Sequence, residues 1–240
     1  MGTYFAYYLT GFLVIPVFIF SLVCQGMVKS RYKKYSAIMS RSGMTGADAA
    51  YRLLQLNGIT DVRIKAISGN LTDHYDPKTK EICLSEGVFN SRSIAAIGIA
   101  CHEAGHACQH AQEYSPLKIR NVAIPATKLG SYLGVPLVII GVMITSWSSA
   151  LGTIGGALAV IGLLLYCCVA FFQLVTLPVE FNASKRALQT IQANNFLTPD
   201  EYSGAKSVLT AAALTYVAAL AASLVTILRL LLVIAGGRRR

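Results

Sequence analysis

The chain has 240 residues, of which 54% are hydrophobic and only 13% charged. Soluble domains carry about a quarter of their residues as Asp, Glu, Lys or Arg, so composition disfavours a soluble globular protein at the outset. The 21 Lys and Arg against 11 Asp and Glu leave a formal charge of +10. No basic patch is interleaved with aromatic residues. The excess therefore marks cytoplasmic membrane flanks, and nucleic acid is not expected as a partner.

In chain order, the first apolar segment runs from about Tyr4 to Val28 without a charged residue, enough for the about 20 residues that span a bilayer. Lys29, Arg31, Lys33 and Lys34 follow it, which reads as an uncleaved anchor with its basic side in the cytoplasm. Residues 29–131 are then long enough for a small domain. Thr45 and Asp48 form a capping-box pattern, apolar Ala50, Leu53, Leu54 and Leu56 follow at helical spacing, and Asn57-Gly58 stops the helix. Val62, Ile64 and Ala66 alternate like a strand. Leu71–Asp76 and Glu81–Ser85 flank the turn-like Asp76-Pro77-Lys78-Thr79, which predicts a hairpin. A helix is expected from about Ser93 to Gln112.

Two further apolar spans, about 132–147 and 151–179, are separated only by Ser148, Ser149 and Ala150, so they form a helical hairpin. Thr198-Pro199-Asp200-Glu201 signals another helix start. The fourth span, about Val208–Ala235, is interrupted by Arg229. The expected fold is mainly α and integral to the membrane: about four transmembrane helices, with a small α+β zincin-like catalytic domain inserted after the first. The division is an anchor at 1–28, a cytoplasmic domain at 29–131, a transmembrane hairpin at 132–179, a cytoplasmic segment at 180–207, and a fourth helix with a basic tail at 208–240. In this topology Arg238, Arg239 and Arg240 lie outside, against the positive-inside tendency, and the heavier charge after the first span decides.

Six cysteines form no CxxC pair, and the chain is no small secreted domain, so they read as reduced small hydrophobes. The glycines Gly152, Gly155, Gly156 and Gly162 can serve close helix packing, within the chain or between chains. An oligomer or a regulatory membrane partner is left open.

The chemistry stands on the helix expected at 93–112, which carries His102-Glu103-Ala104-Gly105-His106. Four residues advance a helix by slightly more than one turn, so the two imidazoles share a face about 6 Å apart and can grip one Zn²⁺. Glu103 is then placed beside the metal's open position, where it can take a proton from water. A helix that merely happens to carry these residues is the bland alternative. Its lead-in, residues 94–100, is apolar all round, and a buried Glu103 without a purpose would be costly.

Catalytic zinc wants a third protein ligand. His110 lies about 12 Å along the axis from His102, too far for one ion to hold all three histidines, and it reads as a residue behind the ligands or at the surface. Glu180, at the end of the third span, is the better candidate, although an acid there can equally be a solvated flank. His74 is a candidate for stabilising an oxyanion, with a plain loop histidine as its alternative. Arg186 is either aimed at the substrate or Glu180, or a membrane-flank cation. Glu81–Ser85 is a candidate edge strand for an extended substrate.

HEAGH, the stretch Leu177–Leu188 (LPVEFNASKRAL) and Asp73-His74-Tyr75-Asp76-Pro77 together resemble the YugP-like membrane zinc peptidases, compact relatives of the HtpX and CAAX-prenyl protease group of gluzincins. The likeness covers nearly the whole chain. It implies an integral-membrane, zinc-dependent peptidase of a bacterial cytoplasmic membrane, with one Zn²⁺ held by His102, His106 and Glu180 and with Glu103 as the base. The family's typical EFDAS has Asp where this chain has Asn182, so Asn182 enters as a polar support of the ligands with no charge. The expected substrates are peptide segments of membrane or membrane-proximal proteins. The alternative is a zinc-stabilised scaffold or adaptor without turnover, which would have no need of Glu103.

Overall fold

In the computed structural model, which describes residues 2–147 and 150–237, the apolar stretches become helices that outrun them. Helix α1 covers Gly2–Ser36 and α2 covers Gly46–Leu56. Three short strands follow: β1 (Arg63–Ile67), β2 (His74–Asp76) and β3 (Glu81–Ser85). The rest is helical: α3 (Glu86–Phe89), α4 (Ile94–Ala111), α5 (Ser115–Trp147), α6 (Gly152–Ala193) and α7 (Pro199–Gly237). The boundaries drawn at 28, 131, 179 and 207 all fall inside helices. A change from apolar to polar residues is not a break in the backbone, because Lys, Arg and Gln continue a helix about as well as Leu. The Ser148-Ser149 tip and the Arg238–Arg240 tail lie outside the described residues.

The chain divides into two compact units. One comprises residues 1–23, 119–176 and 216–240. Four helices are long and apolar enough to cross a membrane, with only 6–22% of each apolar window buried inside the protein. Phe12, Phe18, Leu164 and Trp147 are among the large apolar side chains left exposed. Water would not tolerate so much apolar surface; a bilayer does. Within this unit α5 and α6 pack through small residues. A Cβ on Gly162 would meet the Gly134 carbonyl and the Val138 nitrogen at 2.7 Å, and one on Gly155 would meet the Thr145 side chain at 2.5 Å. Gly152 and Gly156 have nothing within 4 Å. Gly155 and Gly162 therefore serve packing within the chain.

The other unit comprises residues 24–118 and 177–215. Its core gathers Leu53 and Leu54 of α2, Ile82 and Leu84 of β3, Ile97 of α4, and Ile191 and Phe196 from the C-terminal part of α6 and just after it. The capping box of α2 forms as expected: Thr45 Oγ1 accepts from the Asp48 N–H at 3.1 Å, and Asp48 Oδ2 accepts from the Thr45 N–H at 3.0 Å. Glu201 reaches back to accept from the Thr198 N–H at 2.9 Å, and its other oxygen accepts from the Arg41 N–H at 2.8 Å.

The expected hairpin is present, with β2 antiparallel to β3 and His74 opposite Cys83. Its first strand is shorter than the pattern suggests. Leu71 has φ +55°, and the Asp73 side chain replaces a backbone partner by accepting from the Ser85 N–H at 2.7 Å. Strand β1 pairs with β3 in parallel, giving the order β1-β3-β2. The edge-strand role expected for Glu81–Ser85 is thereby corrected. β3 is paired on both sides, and the free edges belong to β1 and β2.

Candidate metal centre

Helix α4 begins at Ser93, whose side chain accepts from the Ala96 N–H at 3.2 Å. The turn before it is strapped down, with the Ile94 N–H donating to the Ile38 carbonyl at 3.0 Å and the Ser40 N–H to the Arg92 carbonyl at 2.9 Å. All of α4 is buried except His102, His110 and Ala111. The glycine of HEAGH is required by packing. A Cβ on Gly105 would stand 2.7 Å from the Ala183 carbonyl oxygen of α6. Only the bare backbone lets α4 and α6 approach this closely.

At that contact His102 and His106 face Glu180. The two Nε2 atoms lie 3.3 and 3.7 Å from the same Glu180 Oε2, and the imidazole planes stand nearly perpendicular, at 83°. One ligand atom from each of the three residues falls within 4.8 Å of the others, the one such group among the described residues. A tetrahedron around zinc with bonds of about 2.0–2.1 Å has edges of about 3.3–3.4 Å. The donor set and its spacing fit that ion. The far nitrogen of each ring is also engaged, so the Nε2 atoms are the ones offered. His102 Nδ1 is 3.1 Å from Ser184 Oγ, and His106 Nδ1 is 3.0 Å from Gln109 Oε1.

The carboxylate of Glu103 is buried on the same helix, 8% exposed. Burial works against a charged His106, but its bond to Glu180 and the charges of Glu103 and Glu180 outweigh that, and the imidazole sits above the ordinary histidine range. Without a metal, His106 thus holds a proton more readily than an ordinary histidine. With one, the ion replaces the proton.

The other expected residues are placed as follows. Asn182 touches neither histidine; its Oδ1 accepts from Gln109 Nε2 at 3.0 Å and from Arg186 Nε at 2.7 Å. Arg186 turns back to α4, donating to Gln112 Oε1 at 2.6 Å. His110 Nδ1 is bonded to the Tyr75 hydroxyl at 2.8 Å, and burial, with Asp61 and Asp76, pushes that hydroxyl up to about 12. His74 is exposed on β2, its Nδ1 2.8 Å from the Thr72 carbonyl oxygen, outside the converging group. All six cysteines are free. Burial raises the thiols of Cys101 and Cys108, the latter to about 11, so neither is a thiolate at neutral pH. Gln109 and Ser184 escaped the sequence reading. Their signals were helical spacing, three residues after His106 and four after Glu180.

Two histidines and a glutamate that could hold a metal ion, in a chain with four membrane-length helices among the described residues, describe a membrane protein with a candidate metal centre. Residues 10–235 match the family described as "putative neutral zinc metallopeptidase", and the chain belongs to it. It is 44% identical over 227 residues to the "Putative membrane protease YugP" of Bacillus subtilis (strain 168), a match covering 95% of this chain and 97% of that protein. No solved structure matches it.

Proposed function

We propose that the protein is a zinc endopeptidase of the gluzincin type in a bacterial cytoplasmic membrane, cutting peptide bonds in membrane or membrane-proximal segments on the cytoplasmic side. One Zn²⁺ per chain is held by His102, His106 and Glu180. The observation that carries this reading is the convergence of those three donors, two of them on a helix that also buries Glu103. The basic flank Lys29, Arg31, Lys33 and Lys34 supports the cytoplasmic orientation.

Bound zinc supplies a Lewis acid that acidifies water and polarises the scissile carbonyl. Glu103 does the proton work: its carboxylate takes a proton from the attacking water and hands it to the leaving amine nitrogen. Its burial suits that task, because a base shielded from bulk water keeps the proton for the return step. A scaffold without turnover would gain nothing from holding this carboxylate in the interior. Glu103→Gln in purified protein tests the assignment with a membrane-protein substrate library: cleavage is lost, while zinc content and fold are kept. Undiminished cleavage in that variant would overturn it.

A further inference from the structure

We infer that Gln109 is the positioning residue that decides which nitrogen of His106 is offered to the metal, and that Asn182 and Arg186 hold Gln109 in place. This rests on the reading of His106 as a zinc ligand.

Gln109 is wholly buried, at 0% exposure, so its amide must be satisfied by protein. One end lies 2.8 Å from the Val179 carbonyl oxygen and 3.0 Å from Asn182 Oδ1. A backbone carbonyl can only accept, so the atom facing it must be the amide nitrogen. That settles the orientation of the amide, and Oε1 is the end turned to His106. Oε1 also can only accept. The His106 Nδ1, 3.0 Å away, must therefore carry the hydrogen. In the neutral ring the lone pair is left on Nε2, the atom that faces Glu180 at 3.7 Å.

His102 has no such device. Its Nδ1 partner is the Ser184 hydroxyl at 3.1 Å, and a hydroxyl can donate or accept, so it permits either tautomer. The two ligands are thus prepared differently. The support for Gln109 also crosses between helices twice. Gln112, at the C-terminal cap of α4, accepts from Arg186 on α6, Arg186 donates to Asn182, and Asn182 accepts from Gln109 back on α4. Histidine ligands commonly have their second nitrogen fixed by a carboxylate or backbone carbonyl. Here a neutral amide does it, and its own orientation depends on α4 and α6 keeping their register. Asn182 serves this relay through its oxygen alone.

The test uses the full chain in detergent, stripped with a chelator and titrated with zinc against a competing indicator. Gln109→Leu, close in volume but unable to accept, weakens zinc binding by about 10–100-fold. Asn182→Leu weakens it less, in the same direction. Asn182→Asp, which keeps both accepted bonds, binds like the unaltered protein. The spectroscopic signature is read without metal: imidazole ¹⁵N shifts at a pH where the ring is neutral show His106 with its hydrogen on Nδ1, and Gln109→Leu turns this into a mixture. A folded Gln109→Leu with unchanged zinc affinity and an unchanged His106 tautomer would overturn the proposal. If that variant does not fold, Asn182→Leu decides, and undiminished binding there overturns it. A loss in Asn182→Asp as large as in Asn182→Leu also overturns it. Failure of the unaltered protein to take up zinc brings down the metal-centre reading itself, while the tautomer measurement still judges Gln109.

Discussion

Helices α4 and α6 are both strongly apolar, yet they are dissolved in different media. α4 has 18 residues and buries all but three of them in its own unit. α6 has 42 residues, and only 17% of its apolar window is covered by protein. At about 1.5 Å per residue α4 reaches about 27 Å, too short to span a bilayer and carry polar residues as well. Apolar composition alone therefore does not distinguish a membrane span from a core helix. Length does, and so does the place where polar residues enter. On α4 they arrive from its midpoint onward, as His102, Glu103, His106, Gln109 and His110; on α6 the first charged residue is Glu180, at the end of the apolar run. The site is made where these two polar onsets meet at Gly105 and Ala183.

That division of labour can be broken at several points. The largest expected effect is Glu103→Gln, which leaves the α6 ligand untouched: peptidase activity falls by about 10²–10⁴-fold or more, with zinc content unchanged by elemental analysis. Next comes Gly105→Ala at the helix contact. An added methyl would ordinarily strengthen a helix by about 1 kcal/mol. Here it would stand 2.7 Å from the Ala183 carbonyl oxygen, and overpacking against backbone costs about 1–3 kcal/mol. A lower Tm with weaker zinc binding is the expected net result.

Acid should act through His106. The His106 pKa is raised in the metal-free protein, so a proton competes with zinc over a wider pH range than for an ordinary histidine. Apparent zinc affinity falls about tenfold per pH unit for each proton taken up. The sign for stability is opposite in the two forms. The metal-free fold gains from protonated His106 at low pH and loses that gain as pH rises through the raised pKa, whereas the zinc-bound fold weakens on acidification. Thermal melts of both forms across pH 5–9 would show the crossing. The smallest effect belongs to the membrane unit. Gly162→Ala, where a Cβ meets α5 backbone at 2.7 Å, costs about 1 kcal/mol, while Gly156→Ala, with nothing within 4 Å, is slightly stabilising. Resistance to denaturing detergent separates them.

The parts of this arrangement readable in the sequence are the local ones. The α2 capping box, the β2–β3 turn and the extent of α4 follow from residues a few positions apart. HEAGH announces a candidate metal face because both histidines and Glu103 lie on about one helical turn. Glu180 is different. It stands 74 positions from His106; its place at the end of the third span made it a candidate beside the alternative of a solvated flank, and resemblance to a family favoured the ligand reading. Ser184 was hidden for the same reason, since it meets His102 only across the α4–α6 contact; Gln109 had helical spacing to His106 as its signal, but its anchors Val179 and Asn182 lie on α6. The strand order was missed because a hairpin is local, whereas the parallel pairing of β1 with β3 is not.

The central claim is that α4 and α6 share one metal ion through His102, His106 and Glu180. Its most direct test is zinc content of the purified chain beside Glu180→Ala. The account predicts about one zinc per chain in the unaltered protein and a clear loss in the variant, with the fold retained. Zinc that persists undiminished after Glu180→Ala would contradict it.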